Sequence, residues 1–143
     1  MSRPPDLRAL RERRERDEDW IRYASWTAIG ASILTSLLVV GFAADAPGAL
    51  AQVGPLLSTQ FGLAVVGYKL LSRSQWAAWG LLATYAVTFT LTSMEYGFFT
   101  GIVVKVALIY VYIRGWLATL DYPEVCQQIA ALSAESTRAE HAV

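Results

Sequence analysis

Two polar side chains stand inside long apolar runs: Lys105 within residues 97–117 and Gln60 within 49–71. An ammonium there can bind an anionic group or gate a polar cavity. An amide there must find hydrogen-bond partners, because an unsatisfied polar group in hydrocarbon is costly. For Gln60 the plain expectation is a bond to a neighbouring threonine, with a ligand or polar-pathway role as the alternative. For Lys105 the neighbours indicate direction. Gly97, Gly101, Lys105, Leu108 and Tyr112 fall within about 80° of one another at about 100° per helical residue. The two glycines on that stripe suit a close neighbour, so Lys105 is expected to point inward. Its ammonium would snorkel past Gly101 toward Glu95 or Asp45.

Small and hydroxylated residues recur every four positions: Gly54, Ser58 and Gly62; Gly80, Thr84, Thr88 and Thr92; Ala28, Ser32 and Ser36. This spacing lets helix backbones approach, and the hydroxyls can bond across helices or back to their own i−4 carbonyl. Internal packing is the expectation and homodimerisation through one such face the alternative.

Other chemistries lack their residues. Cys126 is the only cysteine, so a Cys-x-x-Cys thiol centre cannot form. His141 is the only histidine and is the third residue from the end, away from any apolar run. Haem, zinc and diiron sites and a Ser–His hydrolase therefore have no ligand or base where they would need one. No phosphate-cradling glycine loop occurs, and no acid sits mid-run to relay protons. The expectation is no catalytic residue, no metal, no cofactor and no enzymatic activity.

The elements that must position Lys105 and Gln60 follow from the charge distribution. Of 143 residues, 55% are hydrophobic and 17% charged, with net charge zero and mean hydropathy +0.37. Residues 1–22 hold seven of the ten arginines and six of the twelve acids, so the other 121 residues carry eleven charges. A soluble globule of this size, typically about 25% charged, cannot cover itself that way. Four runs reach the roughly 20 apolar residues needed to cross a bilayer: 25–44, 49–71, 76–94 and 97–117. Short connectors make consecutive helices antiparallel neighbours. The expected fold is all-α, a four-helix transmembrane bundle (25–117) with a charged cytoplasmic N-terminal helix (1–24) and a flexible cytoplasmic tail (118–143).

Lys69, Arg73 and Arg114 share one end with the basic N-terminal segment, whereas Asp45 and Glu95 mark the other. The positive-inside rule places both termini in the cytoplasm, with those three cations as anchors. The first run is too long, and its charged prelude too extended, for a cleaved signal peptide, so a retained anchor is expected. In the arm, Arg8/Glu12, Arg11/Glu15, Glu12/Arg16 and Arg14/Glu18 stand at i,i+4, behind Asp6 as N-cap. A solvated helix is the plain reading and a docking arm for a protein or anionic lipid the sharper one. Its acids nearly cancel its arginines, so no nucleic-acid partner is expected. Trp20, Tyr23, Trp26, Tyr68, Trp76, Trp79, Tyr110, Tyr112, Trp116 and Tyr122 gather toward the cytoplasmic ends as interface anchors. Tyr122-Pro123 is expected to end the last helix.

Ser72-Arg73, Trp76-Ala77, Tyr85, the stretch 97–101 and the aromatic run 109–115 ending in Arg114-Gly115, then Tyr122, resemble a loose group of four-span bacterial membrane proteins. The resemblance covers roughly 68–122 and implies the same topology in a bacterial inner (plasma) membrane; no activity comes with it. The functional expectation is a non-enzymatic accessory or scaffold component in the lipid bilayer, acting through helix–helix packing with a membrane protein partner or a second copy. The alternative is a small transporter or channel using Lys105 and Gln60.

Overall fold

The computed structural model describes residues 6–44, 50–96, 99 and 101–141. They form four helices: α1 (Leu7–Ala44), α2 (Leu50–Leu70), α3 (Gln75–Tyr96) and α4 (Ile102–His141). No strand occurs among the described residues. Each helix packs on its neighbours in sequence, and α1 closes the ring on α4 through the most extensive contact in the chain.

Local chemistry sets the starts and turns. Asp6 caps α1, its Oδ1 accepting from the Arg8 N–H at 3.3 Å. Ser74 opens α3, its hydroxyl and carbonyl oxygens accepting from Ala77 and Ala78. Between α2 and α3 the chain reverses through Arg73, whose N–H donates to Leu70 O at 2.8 Å. Arg73 takes φ 58°, the left-handed region that costs a residue with a Cβ about 1–2 kcal/mol. Gly101, at φ 68°, makes the turn into α4, where the same conformation is free of that cost.

The last helix does not end at Tyr122-Pro123 as expected but continues through residues 118–141 of the tail. Pro123 removes one i→i−4 bond, yet α4 runs on to His141. The reason is tertiary. Ala118, Thr119 and Val125 are buried, and Arg13 of the arm grips Asp121 at 2.9 Å. The arm, for its part, is not wholly solvated, since Leu10, Asp17 and Ile21 are buried. Arm and tail continue the α1–α4 pair beyond the apolar runs.

The buried core is one-sided. Moving from the Arg73 end, buried residues stop at Ser32 on α1, begin at Gln60 on α2, stop at Tyr85 on α3 and begin at Tyr112 on α4. Toward the Gly101 end no described residue is buried. Glycines explain the close half. A Cβ on Gly67 would lie 2.9 Å from Ala28 Cβ, and one on Gly115 would collide with Ala24 Cβ. Gly54, Gly62 and Gly101 would meet nothing within 4 Å, so nothing draws the backbones together there.

By length and composition, α1 (within Leu7–Gly41) and α4 (within Ile102–Glu135) can each cross a membrane. Only 22% of either apolar window is buried in the chain. That is the reverse of a soluble protein's core helix, whose apolar stripe is covered.

Candidate functional site

The divergence of the four helices leaves a cavity of about 360 Å³ bordered by all of them. Lys105 and Gln60 line it together, as do Thr88, Tyr85 and Tyr112. Backbone periodicity puts them there. On α2, Gln60, Leu63, Gly67 and Leu70 share the inward face at spacings of three and four. On α4, Lys105 and Tyr112 stand two turns apart, about 10 Å along the axis.

Each polar group has a distinct state. The Lys105 ammonium donates to Ser93 Oγ at 3.1 Å and lies 5.2 Å from the Phe89 ring centroid. No carboxylate is within ion-pair distance of it among the described residues. Tyr85 donates its hydroxyl to the Lys105 carbonyl at 2.8 Å, which ties α3 to α4 beneath the ammonium. Tyr112 is fully buried, edge-on to Tyr85 at 5.1 Å, and its hydroxyl has no partner among the described residues. Gln60 is 2% exposed and lines the cavity.

At the Arg73 end a second polar cluster joins three connections. Glu18 of α1 accepts from Arg73 at 3.1 Å and from the Tyr122 hydroxyl at 2.8 Å. The Arg73 guanidinium also lies over the Tyr122 ring, 4.7 Å from its centroid. Burial first, then the bond to Glu18, pushes the Tyr122 hydroxyl up to about 12. Asp17 is buried with Oδ2 unpartnered. That burial raises its carboxyl above the usual range, and the nearby Asp121 charge adds to the shift. Arg114 stacks over Trp20 at 5.0 Å.

Other expectations fall out differently. Gly80 meets Val66 at ordinary contact distance, on the α2–α3 seam. Gly54, Ser58 and Gly62 face away from the chain's other helices, about 120–200° from Gln60 at 100° per residue. The contact glycines are instead Gly67 and Gly115. Spacing alone ranks no face of a helix above another, and the signal for Gly67 was its register with the buried Gln60. Hydroxyls mostly bond back to their own helix: Ser25 to Ile21, Ser32 to Ala28, Thr88 to Thr84 and Thr119 to Gly115. Thr84 supplies a carbonyl to Thr88 and does not line the cavity. Lys69 is exposed in the last turn of α2. Tyr112 is a buried residue, not an interface anchor, whereas Tyr23, Trp26, Tyr68, Trp76, Trp79 and Tyr110 are exposed. Of the arm's i,i+4 pairs, Arg8–Glu12 (3.3 Å) and Arg14–Glu18 (3.8 Å) form. Gly97, Asp45 and the side chains of Thr92 and Glu95 lie outside the described residues.

No protein-family model, curated protein or solved structure matches the chain, and its functional reading rests on these residues alone.

Proposed function

We propose that the chain is a four-span integral membrane protein of a bacterial inner membrane, both termini cytoplasmic, and that it works without catalysis. Its role in this reading is that of an accessory or scaffold component presenting apolar helix faces to a membrane partner or a second copy. The observation that carries the span count is the Glu18–Arg73–Tyr122 junction. Glu18 precedes the first apolar run, Tyr122 follows the last, and Arg73 lies between the second and third. That all three meet at one end supports α2 and α3 crossing alongside the apolar runs of α1 and α4. Large apolar side chains such as Leu37, Phe61, Val87 and Val103 are exposed around the rest of the bundle, where lipid would cover them.

Reporter fusions test the topology. A reporter active only in the periplasm should be silent after Val143 and silent after Arg73, and active after Gly48. Activity after Arg73 would leave two spans, α1 and α4, and sink the reading. The accessory role predicts a native mass above that of the 15.7 kDa monomer after mild extraction; a lone monomer counts against it. One observation favours a second reading, a small transporter or channel: Lys105 and Gln60 line the same cavity. Solute flux in proteoliposomes, lost in Lys105→Ala, would support it.

A further inference from the structure

We infer that the cavity among the four helices binds a small organic anion, its carboxylate or phosphate pairing with Lys105 and its apolar body filling the aromatic-walled space. The inference rests on the membrane-bundle reading only for the water-poor surroundings it gives Lys105.

Lys105 is the one charged group among the described residues lining the cavity. Among the described residues, the partners of the Lys105 ammonium are a neutral hydroxyl and an aromatic face. A cation out of water without a counter-ion is unfavourable, and supplying one is correspondingly favourable. Deeper in, the Tyr112 hydroxyl has no partner among the described residues, and Gln60 is nearly fully buried. An anion pairs with the ammonium, which a cation or a pure donor cannot do, and the Gln60 amide can donate to it as well. The Tyr85 hydroxyl is already committed to the Lys105 carbonyl, which holds the backbone beneath the ammonium in place. Between these groups the wall is Leu63, Phe89, Leu108 and the tyrosine rings, so the rest of the ligand is apolar. At about 360 Å³ the cavity falls in the roughly 300–1,000 Å³ range of small-molecule sites.

The test uses the full chain in phosphatidylcholine nanodiscs, with radiolabelled para-tert-butylbenzoate as probe and the neutral para-tert-butylbenzyl alcohol as its control. The carboxylate should bind saturably, one per chain, at least about tenfold tighter than the alcohol, the worth of one charge-assisted hydrogen bond. Lys105→Met should erase that preference and Lys105→Arg should keep it. Leu108→Trp, which fills the space and leaves the charge, should abolish binding of both. Equal affinities in the unaltered protein, a preference surviving Lys105→Met, or undiminished binding in Leu108→Trp would each overturn the inference. So would the absence of saturable binding by a monodisperse, helical protein. If Lys105→Met fails to accumulate, the Leu108→Trp arm decides alone. Replacing half the lipid with phosphatidylglycerol identifies the source: competition marks a lipid phosphate as the anion, no change a free carboxylate, and both support the site. The Arg73 fusion reads the span count without reference to binding, so the two claims fail separately.

Discussion

Replacing Gly67 with alanine adds one methyl group at the tightest described contact between α1 and α2. The new Cβ would lie 2.9 Å from Ala28 Cβ and 3.2 Å from the Ser25 carbonyl oxygen. Both neighbours are fixed to a helix backbone, so the two helices must part or slide. Overpacking of this kind costs about 1–3 kcal/mol. Against it stands about 0.5–1 kcal/mol gained by removing glycine from a helix interior. The net expectation is a loss of up to about 2.5 kcal/mol, or about 70-fold in the unfolding constant. Gly62→Ala is the control. It lies on the same helix, would meet nothing within 4 Å, and should show only the gain. Reversible unfolding in mixed micelles, followed by far-ultraviolet circular dichroism, measures both variants. Gly67→Ala should fall below Gly62→Ala by about 1–3 kcal/mol, and Ala28→Gly should restore part of the difference. Equal stability of the two variants, or strict additivity of Gly67→Ala with Ala28→Gly, would refute the packing account.

Three further outcomes are expected. Arg73→Ala should destabilise more than Arg73→Gly by about 1–2 kcal/mol in the same assay, because both lose Glu18 and Tyr122 but only glycine is free of the left-handed strain. Asp17 has its proton held more tightly in the folded state than in the unfolded one, so its ionisation lowers stability as pH rises through its raised folded value. Asp17→Asn should therefore raise the melting temperature at neutral pH and flatten its rise toward acid; a lower melting temperature would count against this. Tyr122 titrates near 12 when folded against 10 for an unperturbed tyrosine, so its contribution is complete below pH 10 and lost between 10 and about 12. A thermal-melting series over that range should show the loss in the native chain and a smaller one in Tyr122→Phe.

The helix positions were legible because apolar runs and short connectors are local signals. Expected limits of 49–71 and 76–94 compare with Leu50–Leu70 and Gln75–Tyr96. Lys105 lines the cavity with Leu108 and Tyr112, but the glycine close approach from which its inward direction was inferred is absent at Gly101, which meets nothing within 4 Å. What escaped depends on partners distant in sequence. Pro123 is a helix breaker by local rule, but the arm reaches back across more than a hundred residues to hold Asp121 and Tyr122. Asp17 reads as one more solvated acid in a charged run until Arg13, Trp20 and α4 enclose it. The fourfold stripe at Gly54 is indistinguishable in spacing from a packing face, and only the position of Gln60 reveals that α2 turns it outward.

The α1–α4 contact also imposes an order on synthesis. Ala24 leaves the ribosome about ninety residues before Gly115, the residue whose missing side chain receives it. At about 5–20 residues per second, α1 waits roughly 5–20 s for its main partner. During that interval α1 can pack on α2 but lacks α4, and the Arg13 grip on Asp121 cannot form. Whatever insertase or chaperone attends the nascent chain meets the α4-facing side of α1 uncovered. A ribosome stalled before Gly115 would release a chain that carries three apolar helices and cannot close its ring.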